Sequence, residues 1–231
     1  MIPVWLTAVS WLSIALGVLC AAWIAIDLIR HPVRMGVMNL VWPLCGLFGS
    51  LPLLWFYRRY GHSHAGEEGL DVPFSISVAK GTLHCGAGCT LGDLIAESLV
   101  HVTPGILVWF GWHSLFEEKI FAAWGLDYVF AFAIGIGFQY FAIAPMRGLG
   151  PVKGLTAALK ADTASLTSWQ VGMYGLMAVA QFLVFKKLFE ASVDAASPVF
   201  WFAMQIAMVA GFATAYPVNW WLIRAGIKER M

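Results

Sequence analysis

The stretch His84-Cys85-Gly86-Ala87-Gly88-Cys89-Thr90-Leu91-Gly92-Asp93-Leu94-Ile95-Ala96-Glu97-Ser98-Leu99-Val100-His101 decides how the rest of the chain is read. Cys85, Cys89, Asp93, Glu97 and His101 recur at every fourth position. In a helix each step of four turns about 400°, so neighbouring members share a face with about 40° of drift. Four steps accumulate about 160° of rotation and about 24 Å of rise, too much for a single site. The five residues therefore predict a spiral, with two thiols at one end and an Asp-Glu-His group deeper in. After Asp93 they stand in an otherwise apolar run that continues to Trp112.

Working outward, 60% of the 231 residues are hydrophobic and only 12% are charged, with a mean hydropathy of +0.76. Soluble domains carry about 25% charged residues, so the composition predicts an all-α, polytopic transmembrane helical bundle. Twelve Trp, several near the ends of apolar runs, suit the interfacial belts of a bilayer. A net charge of +1 without a basic stripe excludes a nucleic-acid partner. No charged leader precedes the first apolar run, so no cleaved signal peptide is expected. Four cysteines are too few for a disulfide scaffold, and Cys20 and Cys45 read as buried inert thiols.

About six spans follow from runs of roughly 20 apolar residues, the length that crosses about 30 Å of hydrocarbon. They run from Val4 to Ile26, Val33 to Tyr57 (kinked or broken at Pro43 and Pro52), Gly88 to Trp112 (bent at Pro104-Gly105), Phe121 to Ala144, Leu166 to Phe185 and Pro198 to Ile223. This divides the chain into two N-terminal helices over 1–60, a polar loop over 61–82 and a four-span domain over 83–231. Residues 148–165 are less apolar and predict a short interfacial helix. An even number of spans places both termini on one side. Lys and Arg then divide nine to five in favour of a cytoplasmic location for both.

On that topology Cys85 and Cys89 stand at the cytoplasmic mouth, while Glu97 and His101 lie near the midplane, where a charged group costs about 2.5–3.5 kcal/mol and usually serves function. The Gly86 and Gly88 between the thiols permit a loop in which the sulfurs converge, with His84 in reach. Soft sulfur selects Cu(I) or Zn(II). A redox dithiol, or a helix entry where small residues permit close packing, are the competing readings. Met173 and Met177, and Met204 and Met208, are spaced four apart and could supply soft inner ligands that raise copper above zinc; core filling is the bland alternative. His62-Ser63-His64 reads as a solvated pair, Asp127 as an interface residue, and Lys160 and Asp162 as residues flanking the interfacial helix that pair with each other or with a lipid headgroup. Gln139, Tyr140, Tyr174, Tyr216 and Asn219 read as interhelical hydrogen-bonding groups. No phosphate-binding loop, dinucleotide fingerprint, zinc-protease motif or nucleophile elbow is present, which argues against an ATP-driven pump or a hydrolase.

The box His84-Cys85-Gly86-Ala87-Gly88-Cys89-Thr90-Leu91-Gly92-Asp93 with Glu97 resembles the signature of an uncharacterised bacterial membrane-protein family, domain-of-unknown-function family 4396. So do Ala144-Pro145-Met146-Arg147, Lys160-Ala161-Asp162, Gly172-Met173-Tyr174-Gly175 and the segment from Gly211 to Trp221. The resemblance covers about residues 75–231. It implies a multi-span helical domain in a bacterial cytoplasmic membrane and nothing about substrate. The expectation from the residues themselves is a transporter or membrane metallochaperone for a transition metal ion, most simply Cu(I), held by His84, Cys85, Cys89, Asp93, Glu97 and His101. The alternatives are a non-catalytic subunit or assembly factor bound to a membrane protein partner or a second copy, and a membrane thiol-disulfide protein.

Overall fold

The computed structural model describes residues 1–62 and 72–230. Among them the chain forms α1 (Val4–Arg30), α2 (Met38–Tyr60), α3 (Phe74–Val102), a 3-10 turn (Pro104–Phe110), α4 (Lys119–Arg147), α5 (Pro151–Ala178, continued in wide π turns to Leu188) and α6 (Pro198–Arg224). This is the expected all-α polytopic bundle, with five long apolar helices, or six when α3 and the 3-10 turn are joined across their 113° bend. On α1, Trp5, Leu12, Leu19 and Ile26 recur every seventh residue and are all exposed, while Leu6, Gly17, Ala21, Ile24 and Leu28 face inward. An apolar outer stripe of this kind is lipid-facing in a membrane.

Three boundaries differ from expectation. First, α3 begins at Phe74, not Gly88, and the polar loop ends at Pro73. Every residue from Lys80 to Thr90 is buried, because protein surrounds this helix on all sides. A helix without a lipid face can be rich in Gly, Ser, Thr and Cys, which hide it from a hydropathy count. Its neighbours approach closely: a methyl on Gly88 would stand 2.7 Å from the Gly135 Cα, and one on Gly92 would stand 2.5 Å from the Ala131 amide. Second, residues 151–188 form one continuous helical rod, so the segment expected as a separate interfacial helix is the first part of α5. Gly154, Ala158, Ala161 and Ser165 supply a buried small-residue stripe that carries α5 past the expected break.

Third, α2 reverses direction. Trp42 and Tyr57 would be separated by about 22 Å in a straight helix, yet their ring centroids are 5.4 Å apart, and Trp42 also meets Phe56 at 5.9 Å. The turn is at Ser50, whose φ of 44° and ψ of −131° leave helical space. Pro52 then restarts the chain near a helix N-terminus, where its missing N–H is tolerated. The first half descends beside α1, with Gly46 against Ala21 and the Leu47 carbonyl over Gly17. The second half returns until the Tyr57 hydroxyl donates to Asp27 at 2.7 Å. The carbonyl of Leu47 near the break is satisfied by the Gln205 amide of α6 at 2.6 Å, as broken backbone inside a bilayer requires.

The reversal changes the placement of the termini. The α-amino group of Met1 donates to the carbonyl of Phe189, beyond the end of α5, while Arg230 donates to the carbonyl of Val72, just before α3. The two ends of the chain therefore lie at opposite ends of the bundle, not on one side. We call these the vestibule end, where α3 and α5 finish, and the tail end, where α2 returns and α6 finishes.

Candidate functional site

The every-fourth-residue spiral exists and forms the spine of the interior, but its depth is the reverse of the expectation. The midpoint of α3 falls at Gly88, so Cys85 and Cys89 are at mid-helix, and Glu97 and His101 occupy the last two turns. His101 is exposed at the vestibule end, not at the midplane. Gly86 and Gly88 are helical and do not form a loop. They make room for neighbours: a methyl on Gly86 would stand 2.2 Å from the Trp169 ring. The thiols of Cys85 and Cys89, one turn apart, lie close enough to interact, both fully buried. Met173, Met177, Met204 and Met208 belong to the same buried cluster as these two cysteines. His84, fully buried, makes a T-shaped contact with Phe138, 6.2 Å between centroids, and neither ring nitrogen has a hydrogen-bond partner among the described residues.

The acids form a second group. Asp93 and Glu97 of α3 and Asp127 of α4 are buried and within electrostatic reach of one another. Both carboxylate oxygens of Asp93 and both of Asp127 lack a hydrogen-bond partner. Gln170 and Tyr174 of α5 face them; the Tyr174 hydroxyl is committed to the carbonyl of Trp124 at 3.0 Å, and the Gln170 amide, though near Asp93, closes no hydrogen bond of normal geometry. Asp127 is thus an interior group and not an interface residue. Its recurrence with Ala123, Ala131, Gly135 and Gln139, four apart and all buried, is the signal that marks this face of α4 as inward.

Two cavities reach this group, one at Glu97 and the other at Asp93, while Asp127 lines neither. One of about 600 Å³ opens at the vestibule end and is lined by Glu97, His101, Lys119, Gln181, Glu190 and Asp194 among others. The other, of about 460 Å³, lies between α1, the tip of α2, α3 and α6, and reaches Asp93. Cys85, Cys89, Met173 and Met177 line neither; Met204 and Met208 line the second. Among the described residues no three His, Cys, Asp or Glu side chains converge as a metal site. His62 contacts Asp27 and Tyr57 at the tail end, and its expected companion His64 lies outside the described residues.

A third polar group sits toward the tail end. Lys228, four residues beyond α6, folds back so that its ammonium donates to Asp162 at 2.8 Å, both side chains fully buried. Its stem packs on Gly81, and His84 lies within electrostatic reach of the pair. Asn219 donates to the Ser165 hydroxyl at 2.7 Å beside it. Lys160 is exposed, so Asp162 pairs with the tail and not with its sequence neighbour. Nothing in the local sequence at Lys228, in a short charged tail, announces a buried ammonium. A family model described as Domain of unknown function (DUF4396) matches residues 76–228, from the start of α3 through Lys228. No curated protein and no solved structure was found to match the chain.

Proposed function

Because the chain belongs to the Domain of unknown function family DUF4396, membership brings no activity with it, and we propose from the buried acids that this is a proton-handling membrane transporter. The observation that carries the reading is the buried set Asp93, Glu97 and Asp127: Glu97 lines one cavity, Asp93 lines the other, and the carboxylates of Asp93 and Asp127 have no hydrogen-bond partner among the described residues. Carboxyls so placed in a membrane bundle are costly and mark ion or proton paths. They are spread over two helices and do not converge, which suits a proton that hops between groups better than a metal ion that needs its ligands together. The tip of a broken helix, α2, borders the same region, a recurrent placement for transport sites.

Charge supports an orientation. Only Lys119, Lys186 and Lys187 belong to the vestibule end, and the other eleven of the fourteen Lys and Arg lie on the tail side. A crossing α2 would divide these charges nine to five; the folded-back α2 divides them eleven to three. The tail end then faces the cytoplasm and the vestibule faces outward, in the inner membrane that the family resemblance suggests. Protons reach Glu97 from the vestibule, pass to Asp93 and Asp127, and leave past His84 and Asp162 when the sealed section around Cys85, Cys89 and Trp169 rearranges. Purified protein in vesicles loaded with a pH-sensitive dye, under an imposed membrane potential, should take up protons. Asp93→Asn and Glu97→Gln should reduce the rate at least tenfold. Equal rates in wild type and both variants would overturn the reading.

A soft metal ion is the second reading, favoured by one observation: Cys85, Cys89, Met173, Met177, Met204 and Met208 share one buried cluster. Thiolate and thioether sulfur together select Cu(I). Protein purified without chelator would then carry stoichiometric copper, and a Cys85→Ser/Cys89→Ser double variant would lose it. Unchanged metal content in the double variant would end this reading.

A further inference from the structure

The 460 Å³ cavity is the right size for a drug-sized molecule, and its walls are unlike the vestibule's. Trp11, Phe48, Trp201, Met204 and Met208 make it largely apolar and aromatic. Its polar wall groups are nearly all engaged. The Thr90 hydroxyl donates to the carbonyl of Gly86 at 2.8 Å, Gln205 is held by Leu47 and Ser13, and the Ser197 hydroxyl caps α6 by accepting from the Val199 amide. Asp93 remains, 1% exposed, with both oxygens unpartnered. Trp11 and Val18, also in the wall, are at least half exposed on the outer side of α1. The cavity thus opens laterally, toward the acyl chains.

An apolar aromatic chamber entered from lipid, with one unsatisfied carboxyl in its wall, is complementary to a lipophilic cation. The body partitions from the bilayer, the rings face the positive charge, and the carboxylate neutralises it. We propose that this cavity binds a monovalent lipophilic organic cation, of the quaternary ammonium or tetraphenylphosphonium class, at Asp93. The inference rests on the proton-handling reading and names its counter-substrate. The exchange balances: Asp93 carboxylic acid plus the cation gives a carboxylate–cation pair and one proton, which leaves by way of Glu97 to the water of the vestibule. The groups facing Asp93 are Glu97 and Cys89 on α3, Asp127 on α4, and Gln170 and Tyr174 on α5. Proton and cation therefore compete for one carboxyl, and binding weakens as pH falls.

The test uses tetraphenylphosphonium and the full chain in lipid nanodiscs, with binding followed by isothermal calorimetry in two buffers of different ionisation enthalpy. The expected result is saturable binding, about one proton released per cation, and at least a tenfold loss of affinity in Asp93→Asn. Trp201→Leu, at the wall and outside the acid group, should weaken cation binding three- to tenfold while about one proton is still released per cation bound. Competition by a neutral tetraphenyl compound as effective as the cation itself, or wild-type affinity in both variants, would overturn the proposal and leave a lipid groove. Proton flux without cation binding would sink this inference alone; cation binding with proton release but no flux would sink the transport reading and leave the site standing.

Discussion

The indole of Trp42 and the phenol of Tyr57 meet edge to face with centroids 5.4 Å apart, although fifteen residues separate them within one apolar segment. That contact turns α2 from a crossing into a hairpin that enters and leaves at the tail end. The turn between α1 and α2 and the end of α2 must then lie on the same side of the membrane. Single cysteines at Arg34 and Arg58, in a background lacking the native thiols, should be labelled by an impermeant maleimide from one side. A cysteine at Glu190 should be labelled from the other. Labelling of the Arg34 and Arg58 positions from opposite sides would require α2 to cross.

The hairpin carries strain that can be relieved. Ser50 holds a positive φ of 44° with ψ near −131°, a region comfortable for glycine and costly for a residue with a Cβ. Ser50→Gly should raise stability by about 1 kcal/mol, the lower part of the range for such backbone strain. Ser50→Val should lower it. The thermal midpoint in detergent reads both, and a fall with glycine would show that the Ser50 side chain matters more than its backbone.

How far the sequence disclosed all this depends on what each helix touches. Helices α1, α4 and α6 have lipid on one side and protein on the other, so their apolar runs were legible and their ends fall within a few residues of expectation. The broken α2 was also signalled, by Pro43 and Pro52, although a proline shows only that a helix is interrupted and not where the chain goes next. In α3 the same reasoning failed, because Ser77, Lys80, Thr82 and His84 face protein and look like loop when counted for hydropathy. That fourteen-residue error, Gly88 for Phe74, placed the thiols at the mouth and the acids at the centre. The every-fourth spacing survived it, since periodicity does not depend on where a helix begins. Asp127, read as an interface residue, and Lys228 were misplaced for a different reason: the groups that surround them come from α3 and α5, far away in the chain.

The close approach of α3 and α4 sets a packing prediction. A methyl on Gly92 would stand 2.5 Å from the Ala131 amide and 2.6 Å from its Cα, both backbone atoms that cannot rotate away. Gly92→Ala should therefore force the helices apart and cost about 1–3 kcal/mol, the usual range for overpacking. Gly175→Ala, on α5 with nothing within 4 Å of the added methyl, serves as the control. It should be neutral or stabilising by up to about 1 kcal/mol, since alanine restricts the unfolded chain. Equal effects from the two substitutions would mean that the α3–α4 contact yields freely.

The buried pair Lys228–Asp162 makes the last prediction, because it ties the segment that follows α6 to the centre of the bundle. Each charge is fully buried, and each is neutralised by the other at 2.8 Å. Removing one leaves the other unpaired, at a cost of about 3–5 kcal/mol, whereas replacing both by apolar groups is often neutral or better. Lys228→Met and Asp162→Leu should each lower the thermal midpoint markedly, and the double variant should recover most of the loss. A double-mutant cycle would then report strong coupling; simple additivity would mean that the two residues act separately. The same logic extends to transport. The tail is further held by Arg147 on Glu229 and by Arg230 on the carbonyl of Val72, so Lys228 is the innermost of three fastenings over the end where protons would leave past His84. In the apolar double variant the bundle stays folded but this exit loses a buried titratable pair, and proton uptake should fall while stability does not. Stability and flux moving together would instead make the pair a purely structural clasp.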